Sequence, residues 1–212
     1  MGLVDGQAKD FEKGEFTLPK GHSRQRSVWQ QPQKGTIVAL LALVVVQGTI
    51  AACCMIFYDR LYQVSTEGAA ALVSCSLAGL SQGLLQLFVT QKLVVSKLVK
   101  FYVWGAISGV WTKFWTDQLS TKIMVPGFRV FWDQAIGTPI SMFLFISYSA
   151  YWDGINVDRY LNMNYWKTLR ASYVIWPASS AVCFCLLPLE MIVPFNGMVN
   201  LIWTMILGFL ND

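Results

Sequence analysis

Residues 36–57, TIVALLALVVVQGTIAACCMIF, run for 22 positions without a charged side chain. At 1.5 Å rise per residue a helix of that length crosses a hydrocarbon core of roughly 30 Å. Inside lipid every backbone amide needs a partner from its own segment or a closed barrel, so one such run commits the chain to helices. Similar stretches follow at 68–89, at 101–115 (which holds Lys113), at 135–152, at 171–187 and at 196–210. The pattern predicts an all-α, polytopic integral membrane bundle of five to six membrane helices. The last segment either spans or lies along the interface. Composition agrees: only 13% of the 212 residues are charged and mean hydropathy is +0.47, against about 25% charged for a soluble domain. Too few charges exist to clothe a soluble surface.

The organisation reads as a polar arm (1–35), a first membrane helix (36–57) and a helical bundle (58–212). The first apolar run is not a cleavable signal peptide, because a long polar stretch precedes it. The start MGLVDG has Gly6 where myristoylation wants Ser or Thr. No Arg-rich amphipathic presequence opens the chain, and LND is not a peroxisomal tripeptide. Enzyme chemistry finds little support: the single histidine, His22, lies in the arm, and Cys53, Cys54, Cys75, Cys183 and Cys185 all fall in apolar segments. Such a set assembles neither a metal site nor a triad, so the expectation is a non-enzyme without cofactor, bound phospholipid such as cardiolipin aside.

Charge sets orientation. Arg24, Arg26 and Lys34 precede the first span, and Lys92, Lys97 and Lys100 follow the second, which puts both groups on one face of the membrane. That face is the cytosol or matrix. The net charge of +4 then reflects this bias and anionic lipid rather than nucleic acid. Lys92, Lys97 and Lys100, with Arg170 in the next loop on that side, form either a phospholipid headgroup site or a topology signal alone. Trp104, Trp132, Tyr151, Trp152 and Trp176 stand near segment ends, as interfacial aromatic belts do or as core packing would.

Two spans carry small residues at helical spacing: Gly79 and Gly83 in SLAGLSQGLLQ, Gly105 and Gly109 in WGAISGVWT. Gly-x-x-x-Gly lets helix backbones approach where lipid supplies no hydrophobic drive. Gln82 and Gln86 share the first of these faces, either lining a solute path or bonding between helices. Ionisable groups at membrane depth are costly, by about 2.5–3.5 kcal/mol on insertion scales, and are functional candidates by default. Lys113, Asp117, Asp133 and Glu190 qualify. Lys113 and Asp117, four apart, pair with each other or snorkel. Asp133 and Glu190 suit helix N-termini.

Asp133, Gln134 and Pro139 in DQAIGTP, Trp176, Pro177, Phe184, Pro188 and Leu189 in WPASSAVCFCLLPL, and Trp203 in LIWTMILGFL carry a joint spacing. It resembles the membrane family of Mpv-seventeen and peroxisomal membrane protein twenty-two, from about residue 69 to 210. The resemblance implies a polytopic protein of the mitochondrial inner or the peroxisomal membrane. It also implies that Pro177 marks the start of a helix and Pro188 the break before the last one. Departures accompany it: Ser180, Cys183 and Ile192 stand where the family shows Gln, Asn and Arg, and Gln82 replaces an Asp, so the charged lining is thinned. Two functions follow. The first is an accessory subunit of a larger inner-membrane assembly, such as a respiratory complex or ATP synthase, docked through the arm and the helix at 36–57. The second is a small-solute or metabolite channel. Expected partners are membrane lipids and other membrane subunits, not nucleic acid.

Overall fold

A computed structural model describes residues 34–210, with side chains for 35–206. The described residues form helices without a strand. The first is α1 (Lys34–Ile56), followed by the short α2 (Tyr58–Val64) and by α3 (Thr66–Leu85), which runs on through a π-helical turn, Gln86–Thr90. Next come α4 (Val95–Lys122) and α5 (Pro126–Trp132), which passes through a second π turn, Asp133–Gly137, into α6 (Thr138–Trp152). The chain then forms α7 (Val157–Leu186), a 3₁₀ turn (Leu189–Met191) and α8 (Ile192–Leu210). Four segments are long and apolar enough to cross a membrane: Gly35–Ile56, Thr66–Thr90, Val157–Leu186 and Leu189–Ile206. Helix α4, with 28 residues, has the length but is not apolar enough on average to meet that measure. This is the all-α polytopic bundle that the apolar runs predict.

Local chemistry sets the boundaries. Ser65 caps α3, its Oγ accepting from the Gly68 amide at 3.0 Å, and Asn156 caps α7, its Oδ1 accepting from the Arg159 amide at 2.9 Å. Pro126 opens α5, where a missing amide costs nothing. The Arg129 guanidinium donates to the carbonyls of Ile123 (2.7 Å) and Ser120 (3.3 Å), which α4 leaves free at its end. Between α6 and α7, Gly154 takes φ +68, a left-handed turn that glycine adopts without Cβ strain.

Several boundaries differ from the sequence reading. The apolar run 101–115 is the middle of α4, because lysines and polar residues extend the helix at both ends. The run 171–187 is the second half of α7, so Pro177 lies inside that 30-residue helix rather than at its start. The Asn156 cap, well upstream of the apolar stretch, explains why. Pro188 does stand at a break: its backbone is extended (φ −65, ψ 152) ahead of the 3₁₀ turn.

Helix α3 is central, packing against α1, α4 and α8, with Ala69, Ala70, Val73, Leu77 and Ala78 buried. Its most apolar window is 56% buried, against 17% for α1, whose Val38, Leu41, Val45 and Ile50 face outward. In a bilayer that outer surface meets acyl chains, so α1 is a peripheral helix held along one edge. Of the polar arm (1–35), residues 1–33 with His22, Arg24 and Arg26 lie outside the described residues, and Lys34 and Gly35 already belong to α1.

Candidate solute cavity

Two faces of α4 build the site. On one face Gly105 and Gly109 bring its backbone onto α3. A Cβ at Gly105 would lie 2.7 Å from the Ser74 carbonyl and 2.8 Å from the Cys75 Cα. On the other face Trp104, Trp111 and Trp115 project inward. Trp111 and Trp115 stack with centroids 6.0 Å apart and planes 13° apart, and Trp104 tilts against Phe145 at 5.2 Å. Rings of that size hold α4 away from α6, α7 and α8. The result is a cavity of about 490 Å³ bordered by α3, α4, α6, α7 and α8.

Its wall mixes aromatic rings with hydrogen-bonding groups. Helix α8 contributes Asn196, Asn200 and Thr204 at four-residue spacing, α3 contributes Ser74 and Gln82, and α6 contributes Thr138 and Ser141. Trp111 Nε1 donates to Ser141 Oγ at 3.0 Å. Gln82 is only 2% exposed and, among the described residues, its amide has no hydrogen-bond partner. Asn196 Oδ1 accepts from Ser179 Oγ (3.2 Å) and Cys183 Sγ (3.4 Å), which leaves its amide protons for the cavity. One end is bordered by exposed Thr90, Lys97 and Asp153. The other end is bordered by buried Ser180, Cys183 and Phe184, and Phe184 packs with Leu119 and Ile192 into an apolar plug.

Asp133 sits on the cavity wall in the π turn. Its Oδ1 accepts from Trp115 Nε1 at 2.9 Å and its Oδ2 from Gln134 Nε2 at 3.0 Å. Thr138 donates its amide back to the Asp133 carbonyl across the widened turn, and Pro139, next in line, has no amide to place. Gln134 itself points along α7, donating to the Trp176 carbonyl at 3.5 Å, while its own carbonyl accepts from Tyr173 Oη at 2.9 Å.

The other residues singled out from the sequence separate. Gln82 borders the cavity, but Gln86 does not: its side chain clamps the loop by accepting from the Val94 amide (2.9 Å) and donating to the Val94 carbonyl (3.0 Å). Those two bonds draw its amide to the loop and away from the cavity. Lys113 and Asp117 pair with each other away from the cavity, with Lys113 Nζ 5.6 Å from the Tyr62 ring centre. Glu190 is exposed in the 3₁₀ turn and does not border this cavity, because the break at Pro188 carries it away from α7. Gly79 faces the Tyr102 ring and Gly83 the Gln47 amide, so this pair receives two different helices. Of the proposed headgroup ligands, Lys92 and Lys97 are exposed. Lys100 is buried in an ion pair with Asp153 Oδ2 at 2.7 Å and is not free for lipid. Arg170 lies inside α7 rather than in a loop with them.

Some candidate positions escaped the sequence reading. Gln47, in the middle of α1, is 2% exposed, and its Nε2 donates to Tyr102 Oη at 2.8 Å across the space left by the α3 glycines. A lone amide in an uncharged span is the signal that would have found it. The stripe of Asn196, Asn200 and Thr204 was equally visible as polar residues four apart in an apolar run. Beyond the spans, burial raises the Tyr58 phenol to about 12, with Tyr62, Glu190 and Asp59 adding to it, so it stays neutral.

Residues 156–208, which are α7, the 3₁₀ turn and most of α8, match the Mpv17 / PMP22 family. Relatives extend the match beyond these helices. Protein sym-1 of Neurospora crassa is 30% identical over 114 residues, 50% of this chain and 66% of that one. PXMP2/4 family protein 3 of Dictyostelium discoideum is 29% identical over 149 residues, 66% of this chain and 81% of that one. The chain belongs to the Mpv17 / PMP22 family. The matched segment carries Trp176, Pro177, Phe184, Pro188 and Trp203, whereas Asp133, Gln134 and Pro139 lie before it. A vacuolar membrane protein of Saccharomyces cerevisiae is 29% identical over 87 residues, 39% of this chain and 28% of that one. The chain spans just under two thirds of the length of sym-1, at 66%. No solved structure matches.

Proposed function

We propose that the chain is a non-enzymatic integral membrane protein whose α3–α8 bundle holds a path for small polar solutes. The observation that carries this reading is the cavity itself: a polar-walled space of about 490 Å³ running between five helices at membrane depth. A bundle selected only for packing would fill such a space, since amides in an apolar interior without partners cost free energy. The buried end abuts the apolar cluster of Leu119, Phe184 and Ile192, so on this reading passage requires that cluster to move. Membership of the Mpv17 / PMP22 family supports a membrane setting, with the mitochondrial inner membrane as our first choice and the peroxisomal membrane as the alternative.

The accessory-subunit reading has a different basis. It rests on the arm, which lies outside the described residues, and on α1, which borders no part of the cavity. Both roles fit one molecule, with α1 as the docking edge. The test is passage of xylitol into liposomes containing the purified full chain, measured by light scattering. Gln82→Leu together with Asn200→Leu is expected to cut passage to near the rate of empty liposomes while the protein stays folded. Passage unchanged by this pair refutes the cavity as the path. Native gels of the source membranes then report whether a large assembly is present.

A further inference from the structure

The charges and donors around the cavity restrict which solutes suit it. At the exposed end Lys97 is, among the described residues, the cation without an ion pair, because Lys100 is neutralised by Asp153 at 2.7 Å. At the buried end the fixed charge is Asp133, and among the described residues no basic side chain borders it there. An entering cation therefore meets Lys97, and an entering anion meets Asp133 in a region where water does little to screen it. Each sign of ion is opposed at one end.

The remaining groups favour oxygen-bearing ligands. Among the described residues Trp176 Nε1 is buried without an acceptor, and neither the Gln82 amide nor the Asn196 Nδ2 on the cavity wall donates to another side chain. These are hydrogen-bond donors in need of acceptors. Asp133 already has one donor on each oxygen and retains lone pairs to accept from a hydroxyl. Indole faces along α4 suit the C–H faces of a short carbon skeleton. The volume of about 490 Å³ lies within the range of roughly 300–1,000 Å³ for small-molecule sites.

We infer that the cavity is selective for small uncharged polyhydroxylated solutes and against ions of either sign. This rests on the solute-path reading above and specifies its substrate class. The experiment loads liposomes containing the purified full chain and compares entry of xylitol, choline and gluconate by light scattering and by radiolabel uptake. Xylitol is expected to enter at least about tenfold faster than either ion, equivalent to about 1.4 kcal/mol. Two variants test the cause. Lys97→Gln, at an exposed position, should raise choline entry severalfold and leave xylitol unchanged, and Asp133→Asn, which also touches the polyol site, should raise the ratio of gluconate to xylitol entry severalfold. Entry of choline or gluconate at the xylitol rate overturns the inference and leaves the path standing. Ion rates that ignore both charge changes overturn it as well. Failure of all three solutes to exceed empty liposomes removes the path, and the inference with it.

Discussion

The two faces of α4 make opposite contacts from one stretch of sequence. Gly105 and Gly109 press against α3 with no room for a Cβ, while Trp104, Trp111 and Trp115 prop open a cavity on the other side. In lipid, where apolar surface gains little from meeting apolar surface, side-chain volume decides where helices close. Small residues give a dry contact between backbones. Large ones leave a gap that polar groups then line.

Breaking the dry face should have the largest effect. Gly109→Leu drives a side chain into Ser74 and the Ala70 carbonyl, and Gly105→Leu into the α3 backbone. Each is expected to cost about 3 kcal/mol or more and to remove most folded protein, measured as monodisperse yield and thermal stability in detergent. Wild-type stability in either variant would show that the two backbones are not in contact.

The open face should tolerate more. Trp115→Phe keeps a ring in place but strips the donor from Asp133 Oδ1. A loss of about 1–3 kcal/mol in unfolding stability is expected, because a buried charged acceptor is left unmet. No loss would mean that Asp133 finds other donors and that the tryptophan only fills space.

The smallest expected change sharpens the contrast between two glutamines. Gln86→Leu removes both bonds to Val94 and should cost about 1–2 kcal/mol with solute passage retained by the folded fraction. Gln82→Leu should change stability by less and passage by more. The reverse pattern would exchange their roles.

That contrast also marks how far the sequence could be read. Helical period places Gln82 and Gln86 on one face, and what separates their roles is the loop after α3, where Val94 captures the Gln86 amide. The α4 glycine pair was legible because its spacing needs no knowledge of the partner helix. Lys100 was legible as a cation but not as half of an ion pair, since Asp153 lies far along the chain and reaches it only when α6 packs beside α4. Pro177 misled in a different way: proline reads as a boundary, yet α7 runs through it from Val157 to Leu186. The amides of Asn196 and Asn200 were in view throughout. Their meaning depends on the gap that three tryptophans of another helix create.

Water access to that gap tests the account most directly. In a chain whose native cysteines are replaced by serine, Asn200→Cys on the cavity wall and Ile107→Cys on the outer face of α4 are each reconstituted into liposomes. Each is then treated with an uncharged, sugar-bearing methanethiosulfonate that does not cross lipid and that reacts with hydrated thiolates. The account predicts rapid modification at 200, slowed by xylitol, and essentially none at 107, which is 49% exposed but faces lipid. Two unreactive thiols would contradict it, for the cavity would then be closed to water and could carry no polar solute.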